Sequence, residues 1–196
     1  MSMFHEGQRA LQDRWGGRRV ADRIVELVES DAVSDEFRGF IESLPFFFLA
    51  TAAEGVADCS FKGGAPGFVR VPDPKTILFP DYDGNRMYRS LGNIERDPAV
   101  GLLFMRFGAE EGEGALYLRV RVNGRARILE DDPRMADWPG ALRLVEVAVE
   151  HVYPNCPRYV PHMQMIEPSR HVPQAGRPQP VPAWKELPPI AAVLDE

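Results

Sequence analysis

The sequence predicts a mainly β protein, a closed or half-closed antiparallel barrel of about seven strands with few helices. Three observations lead there. Short apolar runs of strand length, bounded by Gly or Pro, recur through the middle of the chain at 46–52, 67–71, 76–79 and 100–107. Leu118, Val120 and Val122 alternate with Arg119, Arg121 and Asn123, and Val145, Val147 and Val149 alternate with Glu146 and Glu150, the period of half-buried strands. The connections between these runs are short, and only one, at 86–96, has a helical pattern.

Composition sets bounds on this reading. A chain of 196 residues with 44% hydrophobic content can bury a sizeable core, and its length favours one domain. With 23 basic against 29 acidic groups it lacks the clustered positive charge of a nucleic-acid or anionic-membrane binder. No apolar run reaches the roughly 18 residues of a membrane span, and the first residues carry early charges and no apolar leader core. Cys59 and Cys156 make neither a disulfide framework nor a zinc site, and read as reduced thiols of a cytoplasmic protein.

Taken in order, residues 5–30 read as a helix with Leu11, Trp15, Ile24, Leu27 and Val28 on one stripe, split by Gly16-Gly17. Ser34-Asp35-Glu36 caps a short helix over 37–43 that Pro45 ends. The continuous apolar run 46–52 suits a buried strand, and Glu54-Gly55 turns it into a returning strand over 56–61. Strands follow at 67–71 and 76–79, then a turn cluster at 80–85, a helix over 86–96 and a strand over 100–107. A polar glycine-rich loop at 108–114 leads into a long strand over 115–129, broken or bulged at Gly124. A connection at 133–139 with one helical turn precedes the strand 143–153. Prolines then crowd the chain from Pro154 to Pro189; a short helix is expected at 159–165 and an extended tail at 173–189. The expected organisation is an N-terminal helical segment (1–36), a barrel domain (37–165) and a proline-rich tail (166–196) packed on the barrel or on a partner.

Two places invite an anion. Lys62-Gly63-Gly64-Ala65-Pro66-Gly67 allows close backbone approach beside a positive charge, although it lacks the spacing of a nucleotide phosphate loop and a glycine-rich turn is more often only a turn. Asp83-Gly84-Asn85-Arg86 opens the 86–96 helix, where free amides and the dipole favour an anion that Arg86 can grip through two hydrogen bonds. The bland alternative is a capping turn with a surface arginine. The four histidines stand alone at 5, 151, 162 and 171, which excludes a metal-ligand spacing. Ser60, Cys59 and Ser90 lack a nucleophile-elbow context. Cys156 beside Arg158 is a weak candidate for a reactive thiol, and the segment 155–159 reads more readily as a structural turn after the last strand.

The order of hairpin, basic loop, strand pair, FPDYDGNRMYRSLGNIERDPAVGLLF and then LRVRVNGRARI resembles the flavin-binding split-barrel proteins related to pyridoxamine 5′-phosphate oxidase. The resemblance spans roughly residues 37–165 and rests on the turn 81–86, the Asp97-Pro98 step, the strand 100–104 and the segment 120–124. It implies a six- to seven-stranded antiparallel split barrel with flanking short helices. It implies a homodimer with FMN at the interface, acting as an oxidoreductase on a small molecule. Lys62, Asn85 and Arg86 fall where the family contacts the phosphate, with Gly63 and Asp81 beside them; Ser60 and Phe61 fall on the strand bordering the flavin ring. Arg119 occupies the position where the vitamin-B6 oxidases use a Gln. The chain departs from those oxidases in its C-terminal region, where Ser169-Arg170-His171 and a proline-rich tail replace their Arg-x-His segment, so vitamin-B6 phosphate is not the expected substrate. A flavin carrier without turnover and a haem- or deazaflavin-binding barrel are the alternatives. No catalytic residue is singled out. The apolar content of 46–49 and 100–104 exceeds what one barrel core absorbs, and a second copy is expected to cover the excess.

Overall fold

The computed structural model describes residues 3–107, 119–156 and 158–194. In chain order the elements are α1 (Glu6–Arg14), α2 (Arg18–Val28), α3 (Asp35–Glu42), β1 (Phe46–Ala53), β2 (Val56–Gly63), β3 (Arg70–Asp73) and β4 (Thr76–Tyr82). There follow α4 (Arg89–Arg96), β5 (Ala99–Met105), β6 (Arg119–Leu129), β7 (Ala141–Asn155) and α5 (Pro188–Leu194). The strands form one antiparallel sheet in the order β2-β1-β5-β6-β7-β4-β3. Although β1 and β4 stand far apart in that order, the Phe47 ring of β1 lies 5.0 Å from Phe79 of β4 and 5.1 Å from Phe104 of β5. The sheet therefore curls onto itself. Its edges β2 and β3 remain unpaired with each other, so the fold is a split barrel of seven strands.

Helix α3 packs beside the β3 edge of the split. Ser34 caps it by accepting from Phe37 N at 3.2 Å, and Phe40 and Ile41 are buried in the core. Just beyond its last turn Leu44 is buried too, and Glu42 accepts Val71 N at 2.9 Å through Oε1 and Gly67 N at 2.7 Å through its carbonyl. At the other end α4 packs on β1, β2 and β6 through buried Leu91 and Ile94.

Several expectations need revising. The run 46–52 is not buried throughout: Phe47 and Leu49 point into the core while Phe46 and Phe48 are half-buried on the outer face, the alternation that pleating imposes. The same alternation runs through β5, where Val100, Leu102 and Phe104 are buried in the core while Leu103 and Met105 are half-buried on the outer face. Strand β3 begins at Arg70 rather than Gly67, because Gly67 takes φ +85° and Phe68 N closes a turn onto Ala65 O. Strand β4 continues through Pro80 and Asp81, which pair with Leu144 and Arg143 of β7.

Helix α4 starts at Arg89, not Arg86. Arg86 and Tyr88 sit in the left-handed region at φ +58° and +49°, which interrupts any helix there and costs about 1–2 kcal/mol at each residue. The split of the N-terminal helix at Gly16-Gly17 is present, but neither half buries a residue, and Trp15 is 72% exposed. The break at Gly124 is a register shift between β6 and β7; an added Cβ there would run into the carbonyl of Ala148. The 159–165 helix is absent, and the tail carries a 3₁₀ turn over Ala183–Glu186 before α5. The loop 108–114 and the first residues of the 115–129 run lie outside the described residues.

Candidate functional site

Strand β2 presents Asp58, Ser60 and Lys62 on one face, since they alternate with Cys59 and Phe61. The end of β4, the turn 83–88, the start of α4 and Arg143 of β7 stand opposite. Together they enclose a cleft of about 450 Å³. Of the residues anticipated from sequence, Ser60, Phe61, Lys62, Gly63, Asp81, Asn85 and Arg86 all line this one cleft. Arg119 does not: it opens β6 opposite Met105 and Asn155, and its Nε donates to Cys156 O at 3.1 Å.

The charges in the cleft leave a remainder. Asp58 accepts from Arg89 Nε at 3.1 Å, Asp81 accepts from Arg143 Nη1 at 2.9 Å, and Asp83 is paired with Lys185 of the tail. All three carboxylates are thereby matched. The Lys62 side chain has no hydrogen-bond partner among the described residues, and burial holds its ammonium below the usual lysine range against the pull of Asp81 and Asp58. Arg86 donates from Nη1 to the Leu194 carbonyl at 2.9 Å, a neutral acceptor. Two positive charges, Lys62 and Arg86, are left over. A phosphate dianion would match them.

The floor carries hydroxyls. Ser60 Oγ and Ser90 Oγ are 2.9 Å apart, and Ser90 Oγ donates to Asp58 Oδ2 at 3.3 Å, which leaves Ser60 to donate to Ser90. Arg143 also lies over the Tyr88 ring, 5.3 Å from its centroid. Burial pushes the Tyr82 phenol up, so it stays a neutral donor and acceptor. Asn85 Oδ1 accepts from Met87 N at 3.0 Å, so its side chain shapes the turn. The cleft's rim is apolar and open: Phe61 and Met87 are each 63% exposed, with Tyr88 and Leu142 beside them.

Sequence reasoning missed Asp58, Arg89, Ser90 and Arg143. The period of β2 places Asp58 with Ser60 and Lys62, a signal that was there to find. Arg143 reaches Asp81 only through the β4–β7 register, 62 residues away in sequence. A second concavity, of about 880 Å³, shares Phe61, Gly63, Tyr82 and Asp83 with the cleft. Among the described residues no group of three or more His, Cys, Asp or Glu could hold a metal ion, and no helix is long and apolar enough to cross a membrane.

A split barrel whose β2 and post-β4 turn face each other across a cationic cleft defines a class. Residues 33–156 match the family model for pyridoxamine 5′-phosphate oxidase, and the chain belongs to that family. Among solved structures it is similar to a provisionally named pyridoxamine 5′-phosphate oxidase of Lactobacillus delbrueckii, with 21% identity over 65% of this chain and 99% of that one (TM-score 0.48). It is also similar to a point variant of HupZ from Group A Streptococcus, with 18% identity over 62% of this chain and 98% of that one (TM-score 0.46). HutZ, the haem storage protein of Vibrio cholerae, has 17% identity over 62% and 94% (TM-score 0.40). No curated protein matches the chain.

Proposed function

We propose that the chain is an FMN-dependent oxidoreductase acting on a small molecule, and that it works as a homodimer with the flavin at the interface. The observation that carries this is the pair of unmatched cations, Lys62 and Arg86, in a cleft whose carboxylates are all neutralised. They would hold the phosphate. Gly63 keeps the backbone accessible beside it, and the strand through Ser60 and Phe61 would border the ring. The bound flavin would supply the hydride or electron chemistry. The chain's own part is to bind, orient and exclude water: the Asp81–Arg143 pair fixes the wall opposite β2, and the Ser60–Ser90–Asp58 chain uses both hydroxyl protons and so fixes the Ser60 oxygen as an acceptor. Asn85 acts by holding the turn that carries Arg86. Arg119 lies outside the cleft of its own chain and would meet the flavin only from a partner.

The open apolar rim of Phe61, Met87, Tyr88 and Leu142 supports closure by a second copy. A ligand that binds only the assembled site favours the dimer by mass action. An absorption spectrum of freshly purified protein tests the cofactor: a flavin double band is expected, whereas a Soret band, or failure to take up added FMN, overturns it. Light scattering over a dilution series with and without FMN tests the interface. A monomer that binds FMN stoichiometrically removes the dimer from the proposal.

A further inference from the structure

We propose that the groove between the outer face of β1, β2 and β5 and the tail segment 163–173 is the substrate pocket, and that it takes an uncharged, flat, apolar ring system. Describing the occupant as substrate rests on the flavin reading above; the pocket itself does not. The groove holds about 880 Å³, within the range for a drug-sized ligand. It opens onto the cleft at Phe61 and Gly63, where the flavin ring is proposed to lie.

Its floor is aromatic. Phe46 stacks on Phe61 (centroids 5.3 Å apart, planes at 19°) and on Phe107 (5.9 Å, 15°), while Phe48 meets both Phe46 and Phe61 edge-on. Such a surface extends most readily to another ring. Met163 and Met165 face it from the tail and can adapt to the shape of a ligand.

Among the described residues, the charged groups lining the groove offer no net positive charge to an anion. Arg106 donates to Ser43 Oγ at 2.7 Å and lies over the Phe40 ring, and Asp83 is held by Lys185. His171 Nδ1 is 3.2 Å from Pro180 O. Glu167, the other charged lining residue among the described ones, is negative. A phosphorylated substrate would find among the described lining residues one cation, Arg106, already engaged by the Ser43 hydroxyl and the Phe40 ring and offset by Glu167, and would enter at a desolvation penalty.

Two dyes with one ring system provide the test. N-phenyl-1-naphthylamine is neutral, and 8-anilino-1-naphthalenesulfonate carries a sulfonate. On the full-length protein with FMN, the neutral dye should bind saturably, one per chain, and at least about tenfold more tightly than the sulfonate. Met165→Asp, at an exposed position of the tail, and Phe107→Asp should each weaken it by about tenfold or more and leave FMN affinity unchanged. Pyridoxamine 5′-phosphate should not displace it. Non-saturable binding, tighter binding of the sulfonate, indifference to Met165→Asp, or displacement by pyridoxamine 5′-phosphate each overturns the proposal. A dye signal that falls as the protein dimerises assigns the groove to a contact between copies and overturns it too. Saturable, Met165-dependent dye binding in a protein that takes no FMN keeps the pocket and removes the flavin; FMN uptake without saturable dye binding does the reverse.

Discussion

The cleft and the groove share the wall formed by Phe61, Gly63, Tyr82 and Asp83, yet they are built in opposite ways. The cleft is lined by charged and hydroxyl groups beneath an apolar rim, and it is backed by the barrel. Phe68 and Leu91 behind it are buried, and Trp138 locks Phe68 in place by donating from Nε1 to its carbonyl at 2.8 Å. The groove is apolar, and its roof is a tail tied down thinly. Among the described residues, the hydrogen bonds and ion pairs linking 159–194 to the barrel are Lys185 to Asp83 and Arg86 to Leu194. Both end on the turn that also lines the cleft. A rigid polar seat beside an adjustable apolar one suits a fixed cofactor next to a variable substrate, and the tail's anchors make the two sides sensitive to each other.

The sharpest way to break that contrast is at Arg86. Arg86→Ala should weaken FMN binding by roughly 1.5–3 kcal/mol, the range for a hydrogen bond to a charged group, while riboflavin, which lacks the phosphate, should be almost indifferent. Flavin fluorescence titrations measure both. Equal losses for the two ligands would mean that Arg86 acts through the turn or the tail instead.

Gly64 tests the wall itself. An added Cβ would run into the Phe68 ring, so Gly64→Ala should destabilise the fold by about 1–3 kcal/mol through overpacking, read from a denaturant midpoint. Because Gly64 lines the groove and Phe68 the cleft, both FMN and dye affinities should fall together. A loss confined to one side would show that the two seats are independent.

Lys62 separates charge from shape. Burial lowers its pKa in the fold, so the unfolded chain binds the extra proton, and stability should rise with pH between that lowered value and the ordinary lysine value of about 10.5. A bound phosphate favours the charged ammonium, so FMN affinity should instead fall as pH rises through the same window. Lys62→Met should flatten that limb, and an unchanged pH profile would remove Lys62 from the phosphate site. The smallest effect is expected at Lys185. Lys185→Ala breaks a pair whose Asp83 partner is partly exposed, worth roughly 0.2–1 kcal/mol; hydrogen exchange should quicken in 183–194 and not in β1–β7. Uniform quickening would show that the tail supports the barrel as a whole.

In β6 and β7 the sequence by itself determined which valines face the core, because strand pleating alternates side chains every second residue. Val120 and Val122 are buried and Arg121 is exposed, Val145 and Val147 are buried, and Gly124 marks the bulge. It also placed Lys62 and Arg86 as candidate cations, since charge and glycine content are local properties. Tertiary structure alone decided which charges are free. Asp81 meets Arg143 through strand register, Ser60 meets Ser90 because α4 folds back over β2, and Asp83 meets Lys185 because the tail returns 102 residues later. The start of α4 was hidden for a related reason: left-handed backbone at Arg86 and Tyr88 contradicts the local preference of both residues, and local patterns do not report conformations that only the surrounding structure enforces.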